Sequence, residues 1–148
     1  MKQKELDRPL MHLFVHIGKL LEDRFRSVLS EKGIHVGQAR IFSALLDHEK
    51  LTQKEIATGL HIKPSTVTNM VKRMEMSGLI NRSRDKGDDR VINVTLTEKG
   101  KEAARFTEKM IEQIEADIRV EFSRKEVEAL RKPLEKILNT LGGRGPSF

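Results

Sequence analysis

The apolar positions of this chain change period twice. Leu10, Leu13, Phe14, Ile17, Leu20, Leu21, Phe25 and Val28 share one helical face, which predicts a long helix from Pro9 to about Glu31, stopped by Gly33. Ala39, Phe42, Leu45 and Leu46 place a second helix over Ile34 to Asp47. Thr52 and Glu55 have the spacing of a capping box and open a short helix carrying Ile56, Ala57 and Leu60. Pro64 suits the first turn of the next, where Val67, Met70, Val71 and Met74 recur at helical spacing until Gly78 ends it. The period then drops to two: Leu79 to Arg84 and Val91 to Leu96 read as strands joined by a polar turn, Asp85 to Arg90. Helical spacing returns after Thr97, a good N-cap, with Ala103, Phe106, Met110, Ile111, Ile114 and Ile118 carrying a helix to about Val120. A second capping box, Ser123 with Glu126, begins the last helix. Its stripe is Val127, Leu130, Leu134, Ile137, Leu138 and Leu141, with a bend expected at Pro133. Residues 142–148 have little to bury and are expected to form a disordered tail.

The fold class is therefore mainly α with a small β-wing: a winged helix-turn-helix region with long terminal helices. Two short helices joined by about four residues, the second amphipathic, match the arrangement in which the second helix enters a DNA major groove. Opposite its apolar stripe that helix carries Ser65, Thr66, Thr68, Asn69, Lys72, Arg73 and Met76, with no carboxylate at the centre. Hydroxyls, an amide and cations suit base edges and phosphates, whereas an ordinary solvated face mixes Glu with Lys. The hairpin adds Arg82, Arg84, Lys86 and Arg90, and an arginine at a wing tip can enter a minor groove.

Four stretches in order, LTQKEIA, PSTVTNMVKRMEMSGLI, the Arg82 to Asp88-Asp89-Arg90 spacing and LTEKG, resemble the MarR family of winged helix-turn-helix regulators, named for multiple antibiotic resistance. The resemblance implies that Asp88 orients Arg90 towards DNA. It also implies dimerisation through the terminal helices, and a small effector held between those helices and the winged region. Lys63 departs from the Ser or Asp common at its position, which removes about 1 kcal/mol of capping.

Composition narrows the partners. At 148 residues the chain is read as one domain, 1–148, with dimerisation helices at 9–33 and 101–141 around a DNA-binding region at 34–100. The net charge is +6, and from His61 to Arg90 seven Lys or Arg face four Asp or Glu, so the excess falls on the reading helix and wing. Phe is the only aromatic type, which disfavours base stacking of single strands. There is no cysteine, and the amino-terminal stretch matches neither a signal peptide nor a membrane span, so a cytoplasmic protein without membrane contact is expected.

The amino-terminal helix is apolar nearly all round from Leu10 to Ile17, which suggests a second subunit. Leu10, Leu13, Phe14, Leu130, Leu134, Ile137 and Leu141 are the expected dimer contacts. His12 and His16 are spaced to meet one metal, but no third ligand accompanies them, so neither metal nor cofactor is expected. With Arg40 they are instead candidates to line a pocket for a small effector, anionic and aromatic in character. The expected function is a homodimeric regulator, most simply an effector-responsive repressor, on a pseudo-palindromic double-stranded DNA site. The alternative is a winged-helix protein-interaction module, whose reading face would need an apolar anchor that only Met76 offers. No nucleophile–base pair, phosphate loop or carboxylate dyad appears at a meaningful spacing, so no enzymatic activity is expected.

Overall fold

The computed structural model of the chain describes residues 9–144, which fall into two compact units, one ending at Val36 and one beginning at Gly37. The first contains helix α1 (Leu10–Ser30). Pro9 sits just outside its first turn, and Gly33 ends it in the left-handed region at φ +67° while Ile34 N–H donates to the Leu29 carbonyl at 3.0 Å. Leu10, Met11, Leu13, Val15, Ile17 and Leu20 are all exposed on this helix.

The boundary falls in the first turn of α2 (Val36–Asp47), and the second unit continues with β1 (Leu51–Thr52), α3 (Gln53–Leu60), α4 (Pro64–Met76), β2 (Ile80–Arg84), β3 (Ile92–Leu96), α5 (Glu98–Arg119) and α6 (Arg124–Thr140). The three strands lie in the order β1-β3-β2, all antiparallel, with Ile80 opposite Leu96 and Arg84 opposite Ile92. Two residues are too few to show a period, so β1 was not expected from the sequence. Thr52 pairs with Asn93 in that strand, while its side chain also caps α3. The core of this unit is built from Ile41, Phe42, Ile56, Val67, Val71, Met74, Ile80 and Val94, each 2% exposed or less.

Helix α5 is turned relative to the expected stripe. Gly100, Ala104, Thr107, Met110 and Ile114 are buried, whereas Ile111 and Ile118 are exposed. Close approach is the reason: a Cβ on Gly100 would lie 1.8 Å from the Leu79 carbonyl oxygen, so the first turn packs through a bare backbone. Small residues rather than the largest apolar ones define this face. Thr97 fixes the approach by accepting from Gly100 N–H at 3.0 Å and donating to the Gly78 carbonyl at 2.7 Å.

The Ser123–Glu126 capping box is formed at the start of α6, which continues through Pro133 without a buried residue. Gly142, at φ +77°, and Gly143, whose N–H donates to Leu138 at 2.9 Å, close this helix. Residues 145–148 of the expected tail lie outside the described residues. Between the end of α5 and α6 runs a groove of about 470 Å³ lined by Ile118, Phe122, Val127, Leu130, Leu134 and Leu138.

Candidate nucleic-acid interface

The turn that aims α4 is three residues long. His61 adopts the left-handed conformation at φ 52°, ψ 44°, and Ile62 N–H returns to the Ala57 carbonyl at 3.0 Å. From α2, Arg40 donates to the Leu60 carbonyl at 2.6 Å, satisfying an acceptor at the carboxyl end of α3. The Thr52–Glu55 capping box holds the other end, and the Thr52 N–H and hydroxyl together keep the Glu55 carboxyl below its ordinary range. Lys63 stands at the N-cap of α4 without a side-chain cap bond, as expected, and Pro64 opens the helix.

Burying Val67, Val71 and Met74 turns Ser65, Thr66, Asn69, Lys72 and Arg73 outwards. Thr68 stands half-buried at the seam between α3 and α4. Its hydroxyl donates to the Pro64 carbonyl at 3.0 Å and accepts from Gln53 Nε2 at 3.1 Å. Met76 is 86% exposed at the end of the same helix.

The wing is held by bonds the sequence reading did not anticipate. Asp85 accepts from the buried Asn93 amide at 3.0 Å and from Gly87 N–H at 3.0 Å, and both lower its pKa, the Asn93 bond most. The Asp-x-Gly spacing was the available signal, because such an aspartate commonly closes a turn on itself. Arg82 pairs with Glu75 at 2.8 Å, joining the wing to α4 rather than standing as a free wing cation. Arg84 and Lys86 are exposed. Arg90 stacks two guanidinium bonds on Asp88, Nε to Oδ1 at 3.1 Å and Nη2 to Oδ2 at 3.2 Å, and its N–H also donates to Oδ1 at 3.0 Å. The guanidinium and then the backbone bond hold the Asp88 carboxyl below its ordinary range. A bidentate pair fixes the fork's plane, while 90% exposure leaves the Arg90 side chain accessible.

His12 and His16 line a shallow depression on α1 with Leu13, Val15 and Lys19. Among the described residues no group of three or more His, Cys, Asp or Glu could hold a metal ion, and no helix is long and apolar enough to cross a membrane.

A short helix, a tight turn, a second helix with a polar outer face and a following hairpin define a winged helix-turn-helix protein. Residues 34–92 match the model of the MarR family. Over 96 residues the chain is 32% identical to the organic hydroperoxide resistance transcriptional regulator of Bacillus subtilis, covering 65% of each chain. Over 72 residues it is 36% identical to the transcriptional repressor MdtR of the same organism, covering 49% of this chain and 46% of that one. These matches span less than two thirds of either relative's length. The Staphylococcus aureus MepR–DNA complex is similar over 90% of this chain and 99% of that one, with a TM-score of 0.85 and 26% identity. The similarity to the MarR family is carried by the winged helix-turn-helix region, residues 34–92.

Proposed function

We propose that the chain is a cytoplasmic homodimeric transcription regulator, most simply a repressor, that binds a pseudo-palindromic DNA duplex and leaves it when a small effector binds. One observation carries this reading: the exposed polar face of α4 stands beside a wing whose Arg90 is held in a fixed plane by Asp88. Ser65, Thr68 and Asn69 face base edges, with Thr66 flanking them, Lys72, Arg73, Arg84 and Lys86 take phosphates, and Arg90 enters the minor groove. The two-fold symmetry of a dimer sets half-sites about one turn, ~34 Å, apart. MepR, a structural relative solved with DNA, supports the choice of partner.

The dimer would form through the apolar stripes of α1 (exposed Leu10, Leu13, Phe14) and α6 (exposed Leu130, Leu134 and Leu141, with the half-buried Ile137). Effector release is a population shift, limited by the effector's differential affinity for conformers with different reading-helix spacing. His12, His16 and Arg40 are the residues to test for it, and without cysteine a thiol switch is not available. The experiment is selection from a randomised duplex library at two salt concentrations. A two-fold-symmetric motif retained with steep salt dependence supports the proposal, and a folded protein that enriches no motif, with and without effectors, sinks it. Lys72→Ala should then weaken all sequences and flatten the salt slope by about one unit, whereas Asn69→Ala should lose about 1–3 kcal/mol at particular bases.

A further inference from the structure

On the recognition helix, the Thr68 hydroxyl is already engaged within the protein. A threonine hydroxyl has one proton and two lone pairs. At Thr68 the proton goes back along the helix to the Pro64 carbonyl at 3.0 Å, and one lone pair takes the Gln53 Nε2–H at 3.1 Å. Turning the Gln53 amide over would only exchange one internal acceptor for another, because Thr68 would then donate to Oε1. Either arrangement consumes the proton inside the protein. Gln53 Oε1 is itself buried without a partner. What Thr68 retains for a ligand is its γ-methyl group and a single lone pair.

Only one base carries an apolar group on its major-groove edge, the C5-methyl of thymine, and a threonine methyl is a good contact for it. We infer that Thr68 reads DNA as an apolar residue, with Gln53 as its positioning residue, and that each half-site contains a thymine recognised through its methyl group by Thr68. The inference rests on the DNA reading proposed above and makes it specific. A hydroxyl able to donate would accept several bases, whereas a methyl distinguishes thymine from cytosine, and from uracil, by contact alone.

The test uses the full-length protein and the duplex selected from the library. Each thymine is replaced in turn by deoxyuridine, which removes the methyl and leaves every hydrogen-bonding group in place. Affinity is measured for the unsubstituted protein, Thr68→Val and Thr68→Ser. At one thymine per half-site, substitution should weaken the unsubstituted protein and Thr68→Val roughly fourfold, the worth of one buried methyl, and leave Thr68→Ser unchanged. Because each ratio compares two duplexes on one protein, a loss of stability in a variant cancels. Thr68→Val would keep the ratio even if it bound less tightly, since Gln53 loses its acceptor. Absence of any methyl-sensitive thymine, or a sensitivity that survives in Thr68→Ser, overturns the inference while leaving the regulator reading intact. Failure to select any duplex overturns both.

Discussion

Helices α4 and α6 are both amphipathic, and the structure treats their apolar stripes in opposite ways. In α4, Val67, Val71 and Met74 are completely buried against the α3–sheet core, and the polar face is left for a ligand. In α6 the stripe of Leu130, Leu134 and Leu138 remains over 40% exposed, and no residue of the helix is buried. A period of 3.6 predicts a helix and the side it would bury, and is silent on what covers that side. Exposed leucines in register along a groove are costly in a lone chain and ordinary in a subunit interface.

That contrast is tested most severely at the cores. Met74→Ala should destabilise folding by about 2–5 kcal/mol, a large share of the 5–15 kcal/mol typical of a domain, read from the urea midpoint. Leu134→Glu should leave the helical circular dichroism of the chain intact but raise the dimer dissociation constant on the order of 100-fold, measured by sedimentation. If Leu134→Glu instead unfolded the chain at every concentration, α6 would belong to an internal core and the comparison would fail.

Glycines sharpen the same point at smaller amplitude. Gly100 stands where a Cβ would meet the Leu79 carbonyl at 1.8 Å, whereas Gly18 within α1 has nothing within 4 Å. Gly100→Ala should therefore lower stability by about 1–3 kcal/mol through overpacking, and Gly18→Ala should raise it by about 0.5–1 kcal/mol through helix propensity. Thermal melts of the two variants side by side separate close packing from backbone entropy.

Where local chemistry determined structure, the sequence was readable. Both capping boxes, the Thr97 cap, the glycine stop at Gly33 and the two wing strands formed within one or two residues of their expected positions, because each depends on neighbours in the chain. Misreadings arose where a distant backbone decided. The face of α5 follows Gly100 on Leu79, which a count of large apolar residues cannot foresee, and β1 exists only because β3 is beside it. At the candidate site, the pairing of Asp88 with Arg90 was implied by the resemblance to the MarR family rather than by spacing alone. The engagement of Thr68 by Gln53 and of Arg82 by Glu75 was not, since those pairs meet only after α3, α4 and the wing have docked.

The smallest effect separates the two aspartates of the wing. Both carboxyls lie below the ordinary value of 3.8, Asp85 mainly through the Asn93 amide and Asp88 mainly through Arg90. A depressed carboxyl contributes order above its unfolded pKa and loses that contribution as pH falls through the lower, folded value. The wing should therefore be unaffected between about pH 8 and 5 and loosen only in acid below the ordinary aspartate value. Carbon-detected titration of the two side chains tests which partner governs which. Asn93→Ala should return Asp85 towards its ordinary value and leave Asp88 low, whereas Arg90→Ala should raise Asp88 and leave Asp85 low. Coupled movement of both aspartates in either variant would mean that the wing tip folds as one unit. It would also mean that Arg90, the group offered to DNA, is not independent of the internal bond beneath it.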